Sequence, residues 1–307
     1  MKRFAAITLA LIMALICVPV TAEKADREIE GNLAVFTTAE DFAAGTLENV
    51  VTDESIGNGA IVLKEGESEG TYTSEVLGTA PFEYMVASWG ADTPKGTWIE
   101  VSARAYVDMK KGWTEWLSWG KWSDSVKRGS VSGECDLAYM DTDTFTISGK
   151  DGETASKIQL KVTLHANADG VSPTVRQLGA TYKNTLEGQY ITPVYHGETV
   201  ELPEKVLLDT PAYSQMVREQ SIANSMCSAT TICTMLNDRG EDTLPEEIAL
   251  IDYDSDYDGF GNWSFSVAAA GSYGYDVYIQ YADLDIVRQE LAHGYSVGIN
   301  VKYSSSS

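Results

Sequence analysis

Cysteine and basic side chains are scarce in this chain of 307 residues. Its 22 Lys and Arg residues face 45 Asp and Glu residues, which gives a formal net charge of −23. This balance argues against nucleic acid or an anionic membrane surface as a partner, because phosphate binding needs a basic face. Acidity of this degree mainly keeps an exported protein soluble.

The four cysteines do not have the pattern of a disulfide framework. Cys17 lies in the apolar N-terminal stretch, which leaves Cys135, Cys227 and Cys233 in the rest of the chain. An odd cysteine in an exported protein indicates a reactive thiol. A bond between Cys135 and Cys233 stays open at this level, because it depends on how close the two residues lie in the fold.

Residues 1–22 have the three parts of a secretory signal peptide: a basic start, a short apolar core and a small-residue end. We predict cleavage after Ala22, which would place the protein outside the cell or at its surface. The apolar core is short for a helix that spans a bilayer, and no other segment could span one. We therefore expect a secreted protein with no integral membrane span.

The length indicates about two domains. The first, over residues 31–185, contains short runs rich in β-branched and aromatic residues, separated by Gly, Asp, Ser and Pro. Within residues 97–107 the side chains alternate between larger polar or aromatic residues and small apolar ones, which is the period of a strand. No helical period of sufficient length occurs here, so we predict an all-β sandwich of the jelly-roll type.

Four tryptophans follow closely on one another: Trp113, Trp116, Trp119 and Trp122. Exposed rings of this kind stack on sugars, since they combine an apolar body with a polar edge. Alternatively, the rings fill the sandwich core or contact the next domain, where large aromatic side chains bury their area. We favour the second interpretation, and the first keeps glycan or cell-wall binding as an alternative function.

Residues 186–205 are predicted to form a linker, with Pro193 and Pro203. His196 lies among its polar residues, and His165 ends a predicted strand. We interpret both histidines as exposed or structural residues rather than as catalytic ones.

The second domain, residues 206–307, is organised around Cys227. Apolar residues after it recur at the spacing of a buried helical face: Ala229, Ile232, Cys233 and Leu236. With Ser225 as the predicted N-cap, Cys227 falls in the first helical turn. There the unpaired backbone N–H groups and the helix dipole favour the thiolate, the form that attacks carbonyl carbons. Cys233 is interpreted as a core residue.

The rest of this domain alternates predicted helices and strands. We predict helices over residues 244–250, 263–270 and 284–291, the last with Asp283 as N-cap. Residues 275–281 and 296–303 are predicted strands.

The acidic run from Asp254 to Asn262 resembles a calcium loop in its spacing. The final ligand position falls on Phe265, where a bidentate Glu is required. We therefore interpret this run as an acidic surface loop and expect no metal and no cofactor.

Three stretches of this domain, in this order, resemble a known family: residues 208–215, which end in Gln215; residues 226–231, around Cys227; and residues 261–265, Gly-Asn-Trp-Ser-Phe. They are similar to bacterial papain-like cysteine peptidases of the peptidase family thirty-nine-like type, which includes the double-glycine, bacteriocin-processing peptidases. The resemblance covers about residues 206–303. Met226 and Ala229 stand where the family has Trp and Pro around its cysteine. Ahead of such secreted peptidases, the family often has a lectin-like β-sandwich, which the first domain resembles.

The resemblance implies an α+β papain-like cysteine peptidase domain that acts on peptide or protein substrates. In this hydrolase chemistry a Cys attacks the acyl carbon, a His takes its proton, an Asp or Asn orients the His, and a Gln binds the oxyanion. The resemblance assigns Cys227 as the nucleophile and Gln215 as the oxyanion donor, with Gln220 as an open alternative.

The family's His and its Asp or Asn are missing from the family position, because the chain stops at Ser307. We therefore expect the peptidase domain to be incomplete at its C-terminus and its activity to be weak or absent. His293 is the only histidine after Cys227. It lies at the end of a predicted helix, where the dipole favours it without any catalytic role.

Two other classes of function stay open. One is a non-catalytic extracellular protein that binds carbohydrate or cell wall through the Trp-rich β-domain. The other is a different acyl-transfer enzyme on a papain-like core, such as a transglutaminase-like protein or an amidase.

Overall fold

The computed structural model describes residues 26–149 and 152–300. All the strands of this part precede residue 184, and four of its five α-helices come after residue 226. The predicted signal peptide lies outside the described residues, so its prediction stays untested. Within the described ranges, no helix is long and apolar enough to cross a membrane.

The strands form two sheets and are numbered along the chain. The first sheet contains β1 (Arg27–Glu28), β3 (Thr46–Glu48), β6 (Glu69–Thr73), β7 (Leu77–Phe82), β9 (Trp98–Val107), β10 (Gly112–Trp113), β11 (Leu117–Trp122) and β15 (Ala155–His165). The second contains β2 (Leu33–Phe36), β4 (Val50–Asp53), β5 (Ala60–Leu63), β8 (Tyr84–Asp92), β12 (Gly133–Glu134), β13 (Ala138–Asp141), β14 (Thr144–Ile147) and β16 (Thr174–Lys183).

Each sheet is built around one long central strand. In the first sheet, β15 pairs with β9 along its length on one side and with β7 and then β6 on the other. In the second, β16 pairs with β8 on one side and with β5 and β2 on the other. These pairs are antiparallel, whereas the short β1 runs parallel to β7. The prediction of a β-sandwich is confirmed.

Aromatic rings join the inner faces of the two sheets. Ring pairs across the interface include Phe36 with Tyr72, Phe82 with Tyr182, and Trp119 with Phe145, at centroid distances of 6.4, 5.3 and 6.5 Å. These side chains are almost fully buried. Such contacts add to the apolar area that the sandwich removes from water. The interpretation of the Trp-rich run as core is therefore correct for Trp119 and Trp122, whose side chains are both fully buried.

Helix α1 (Ala39–Ala43) is the one described helix inside the sandwich, and the sequence pattern does not predict it. Five residues are too few to show a helical period. A local signal was nevertheless present, because Thr38 and Asp41 form a reciprocal capping box.

The second part of the chain contains α2 (Cys227–Asp238), α3 (Pro245–Asp252), α4 (Trp263–Gly271) and α5 (Leu284–Ala292). These bounds confirm the four predicted helices. A short 3₁₀ helix, Gln215–Val217, precedes them.

The two strands predicted for this part are wrong where the structure describes them. Residues 275–281 are not in a strand: the Gln177 side chain of β16 bonds both the backbone N–H and the carbonyl of Val277, and Thr181 accepts from the N–H of Tyr281. Side chains thus replace a neighbouring strand. Residues 296–300 are not in a strand either, and residues 301–303 lie outside the described residues. The α+β character of a papain-like domain is therefore not established by the described residues.

Helix α4 packs directly on β8 of the sandwich. Phe265 contacts Trp89 and Trp122, with ring centroids 6.1 and 5.2 Å apart, and all three side chains are fully buried. At its end the helix approaches the strand so closely that a Cβ on Gly271 would lie 2.8 Å from the Cα of Gly90. The small residues at the end of the helix are thus required for this packing.

Charged side chains of the sandwich complement the ends of the helices. Asp143 accepts a hydrogen bond of 2.7 Å from the N–H of Trp263, the first residue of α4, and Arg176 donates to the carbonyl of Gly271, its last. Arg128 donates to the carbonyls of Leu250 and Ile251 in the last turn of α3. An anion at the N-terminus and cations at the C-termini match the helix dipoles. The sandwich therefore holds α3 and α4 in place.

Replacing Trp119 with Ala is expected to lower the free energy of unfolding by about 3–5 kcal/mol, because it leaves a large cavity between the sheets. Trp116→Ala is the matched control: Trp116 is half-buried, and its loss is expected to cost about 1 kcal/mol. Chemical denaturation of both variants measures the difference. Equal losses would contradict the assignment of Trp119 to the core.

Candidate functional site

Cys227 is exposed and is the first residue of α2, as predicted. The N-cap is Met226, however, and the prediction of Ser225 was wrong. The hydroxyl of Ser225 donates 3.1 Å to the carbonyl of Ile222 within the preceding turn, so it does not cap the helix. No side chain caps the first turn of α2, which leaves its backbone N–H groups available beside the thiol.

Cys227 and Gln215 line the same open cleft, which has a volume of about 520 Å³. Its walls come from residues 206–215, from α2, from the end of α5 and from residues 296–297. The Gln215 amide nitrogen donates 2.7 Å to the carbonyl of Ala223, which fixes the side chain and leaves a second amide hydrogen. Gln220 is exposed, bonds only to nearby carbonyls and does not line the cleft. The geometry thus favours Gln215 over Gln220.

None of the three histidines of the chain lines this cleft in the described structure. His293 caps the C-terminus of α5, with Nδ1 2.8 Å from the carbonyl of Gln289 and 3.3 Å from the hydroxyl of Tyr195. His165 stacks on Trp98 with 3.4 Å between ring centroids, and His196 is exposed. The described residues therefore bring no histidine base to Cys227.

Among the described residues, Cys135 and Cys233 are unpaired as well, so the structure shows no bond between them. Cys233 is buried, and its thiol donates 3.3 Å to the carbonyl of Thr243. Burial raises the pKa of the Cys233 thiol above its ordinary value. Cys233 is therefore a core residue, as predicted, and Cys227 is the exposed thiol of the same helix.

A chain of hydrogen bonds begins at the residue after Cys227. The Ser228 hydroxyl donates 2.6 Å to that of Ser266, which lies 3.2 Å from the Oδ2 atom of Asp252. Asp252 is completely buried, and its Oδ1 atom has no hydrogen-bond partner. Burial raises the pKa of this carboxyl well above its ordinary value, against the smaller opposing effects of Ser266 and Arg128. These contacts tie the first turn of α2 to α3 and α4.

The sequence does not predict this series of hydrogen bonds, because the three residues that form it lie far apart along the sequence. The one local signal is the placement of polar residues at buried positions, Ser266 within the apolar α4 and Asp252 at the end of α3. A buried polar group needs a partner inside the protein. Which partner it finds depends on how the helices pack, which the sequence does not give.

The acidic loop does not have the arrangement of a calcium site. Both carboxylate oxygens of Asp254 accept hydrogen bonds, from the backbone N–H groups of Ser130, Asp256 and Tyr257 and from the Asn262 amide. Over residues 26–149 and 152–300, no group of His, Cys, Asp and Glu side chains is placed to bind a metal ion. The carboxylate of Asp254 instead organises the turn that leads into α4.

A second cluster lies on the outward face of the first sheet. Trp113 and Trp116 are half-buried there, and the guanidinium of Arg104 lies over both rings, 4.7 and 4.9 Å from their centroids. Lys161 lies over Trp116 from the adjacent strand. The Trp-rich run thus divides: two rings enter the core, and two remain on the surface. The period of the strand predicts the outward position of Arg104, but its proximity to Lys161 follows only from the pairing of β9 with β15.

Residues 32–182 match the family model described as Peptidase C39 N-terminal domain. This match covers the sandwich and ends before α2, so it includes neither Cys227 nor Gln215. The sandwich is therefore similar to a domain that is associated with peptidases, and the match does not extend to the helical part of the chain. No protein with a curated description matches the chain.

Solved carbohydrate-binding modules are among the structures similar to the sandwich. TmCBM61 in complex with β-1,4-galactotriose is 13% identical, with 49% of this chain and 88% of that chain covered and a TM-score of 0.26. CsCBM6-3 from Clostridium stercorarium in complex with cellobiose is 15% identical, with 53% and 100% covered and a TM-score of 0.25. The xylanase 10B modules from Clostridium thermocellum complexed with xylohexaose are 13% identical, with 50% and 29% covered and a TM-score of 0.29. With scores this low, the fold assignment rests on the strand pairing.

The wild-type protein is expected to lose stability as the pH rises, and replacing Asp252 with Asn is expected to remove this loss. Above the ordinary Asp pKa, the folded protein keeps a proton on Asp252 that the unfolded chain releases, so wild-type stability falls as pH rises toward the raised pKa. The fall is at most about 1.4 kcal/mol per pH unit for one proton. Denaturation of both proteins from pH 4 to pH 8 is expected to favour the variant increasingly as pH rises.

The control variant is Asp256→Asn, which makes the same charge change at an exposed position of the neighbouring loop. A stability difference for Asp252→Asn that does not change with pH would contradict the assignment of a buried, protonated carboxyl.

Proposed function

We propose that this chain is a secreted cysteine peptidase-like protein, in which Cys227 attacks the acyl carbon of a peptide and Gln215 stabilises the oxyanion. The observation that carries the proposal is that the exposed thiol of Cys227, at the uncapped start of α2, shares one cleft with the Gln215 amide. The similarity of the sandwich to the N-terminal domain of a peptidase family supports it.

The reaction would begin as the sulfur lone pair of the Cys227 thiolate forms a bond to the acyl carbon. The carbonyl oxygen becomes an oxyanion, and the second amide hydrogen of Gln215 and the backbone N–H groups of α2 are the available donors. Collapse of this intermediate breaks the bond to the leaving group and gives an acyl-enzyme with a thioester bond. Water then cleaves the thioester and returns the thiol.

The leaving group decides how fast the first step proceeds. An amine needs a proton as it leaves, and a papain-type enzyme supplies it from histidine. Since the described cleft contains no histidine, we expect slow cleavage of ordinary peptide bonds. A thioester substrate releases a thiolate, which leaves without a proton, so Cys227 should still become acylated.

The rim of the cleft supports a peptide as the acyl donor. Leu207 lines the cleft with 84% of its surface exposed, and Met216 and Val217 next to Gln215 are exposed as well. Clustered exposed apolar side chains mark interaction sites rather than ordinary surface. They would contact the side chains that flank the scissile carbonyl.

Incubation with a peptide thioester is expected to acylate Cys227 alone, as measured by mass spectrometry of the intact protein and its fragments. Gln215→Ala is expected to slow acylation by about a hundredfold, because it removes an oxyanion donor. Gln220→Ala, the matched control at an exposed glutamine outside the cleft, is expected to change the rate less than about twofold.

Cys227→Ala is expected to abolish the adduct while Cys135 and Cys233 stay unmodified. Acylation at equal rates in the Gln215→Ala variant and the wild type would contradict the proposed oxyanion donor. An adduct on Cys135 instead of Cys227 would contradict the proposed nucleophile.

A second candidate function is the binding of an extracellular glycan by the sandwich. The observation that favours it is the cluster of half-buried aromatic and polar side chains on the outward face of the first sheet, around Trp113 and Trp116. Retention of the protein on insoluble cell-wall polysaccharide, lost in Trp116→Ala while that variant stays folded, would support this function. Retention that does not depend on Trp116 would contradict it.

A further inference from the structure

Three cations cluster on the outward face of the first sheet of this strongly acidic protein, while Glu48 and Glu69 lie toward its edge and Glu69 pairs with His165. Arg104 on β9, Lys161 on β15 and Lys121 on β11 lie on adjacent strands. None of the three forms an ion pair with a described residue. Glu100 lies on the same face, but beyond ion-pair distance of these cations. The face therefore holds three cations without an ion pair among the described residues, and Glu100, opposite Lys121 in the strand pairing, offsets only part of their charge.

These cations lie over the half-buried aromatic rings of the face. The distances from cation to ring centroid are 4.7 Å for Arg104 and Trp113, 4.9 Å for Arg104 and Trp116, 4.5 Å for Lys161 and Trp116, and 4.7 Å for Lys121 and Trp98. The ring of His165 also stacks on Trp98. Rings that are covered in this way offer little free face for a neutral sugar to stack upon. The groups that this face offers to a ligand are therefore mainly cations and hydroxyl groups.

The aromatic rings and Gln159 hold the cations rather than neutralise them. The Nε and Nη2 atoms of Arg104 donate to the Gln159 amide oxygen, which leaves Nη1 without a hydrogen-bond partner among the described residues. Burial lowers the pKa of Lys161, an effect that Arg104 reinforces and Glu100 opposes. A partly desolvated pair of cations favours an anion between them.

The same face leads into a cleft of about 650 Å³. Trp98, Lys121, Lys127, Ser130 and Ser132 are among the residues that line it. Two carboxylates, those of Glu100 and Asp256, also line it, against the cations of Lys121, Lys127 and Arg128. The positive strip on the sheet thus continues into a space that is large enough for a sugar unit.

We propose that this surface, from Arg104 and Lys161 to the cleft at Lys121, binds an acidic polysaccharide. Hydroxyl groups and a repeated negative charge are the shared chemistry of a polyuronate and of a phosphate-bearing wall polymer. The neighbouring strand positions offer threonine hydroxyls, Thr71, Thr73 and Thr163, rather than the apolar pockets that a peptide's side chains would fill. The inference deepens the glycan-binding candidate, on which it rests, and does not depend on Cys227.

Binding to soluble polysaccharides tests the proposal by isothermal titration at low and at physiological salt. The probes are polygalacturonate for the carboxylate, teichoic acid for the phosphate, and galactan for a neutral polymer. We expect measurable affinity for one or both anionic polymers, weakened by salt because exposed charges are screened, and at least about tenfold weaker affinity for galactan. Poly-glutamate is the acidic-peptide probe, which distinguishes a sugar ligand from negative charge alone.

The double variant Lys121→Gln with Lys161→Gln is expected to weaken anionic polysaccharide binding by roughly tenfold or more. Lys183→Gln is the matched control, because Lys183 also lies over aromatic rings, those of Tyr84 and Tyr281, but on the second sheet. It is expected to leave the affinity within about twofold. Thermal unfolding of each variant confirms that the fold is intact.

Five results would overturn the inference. Unchanged affinity in the double variant, or an equal loss in Lys183→Gln, would remove the assigned site. Equal affinity for galactan would leave a glycan-binding protein without charge recognition, so the second candidate function would survive. Poly-glutamate bound as tightly as polygalacturonate would contradict a sugar ligand. Binding to no polysaccharide at all would overturn both the inference and the candidate function.

Discussion

The contact of Phe265 with Trp89 and Trp122 is the interaction on which the rest of the structure depends. Trp89 belongs to the second sheet, Trp122 to the first, and Phe265 to α4, so this one cluster joins both layers of the sandwich to the helical part. All three side chains are fully buried. Burial of such large rings is among the strongest stabilising effects available to a protein core. It fixes the position of α4, against which α2 and Cys227 are placed.

Electrostatics then determines how α4 lies on the sheet. Asp143 at its first residue and Arg176 at its last match the helix dipole with charges from the sandwich. The chain from Ser228 through Ser266 to Asp252 extends this order to the start of α2. The thiol and the Gln215 amide therefore share a cleft on a scaffold that the β-domain supports.

Local sequence patterns predicted the types of most secondary-structure elements. The strand period gave the sandwich, and the apolar spacing after Cys227 gave α2. The N-cap was misplaced by one residue because the Ser225 hydroxyl bonds within its own turn. Residues 275–281 have a strand's composition, but the side chains of Gln177 and Thr181 take the place of a neighbouring strand. Trp113 and Trp119 look alike in sequence, and only the pairing of the sheets decides which is buried. Such outcomes depend on long-range contacts, which no window of sequence contains.

The most direct test of the account measures whether the sandwich and the cysteine helix unfold together. Tryptophan fluorescence follows the sandwich through a denaturant titration, while mass spectrometry follows alkylation of the Cys233 thiol, which is buried in α2. We expect the same midpoint for both signals, and we expect Phe265→Ala to shift both midpoints together to lower denaturant concentration. Alkylation of Cys233 at denaturant concentrations where the fluorescence is still native would contradict this expectation, because α2 would then unfold independently of the sandwich.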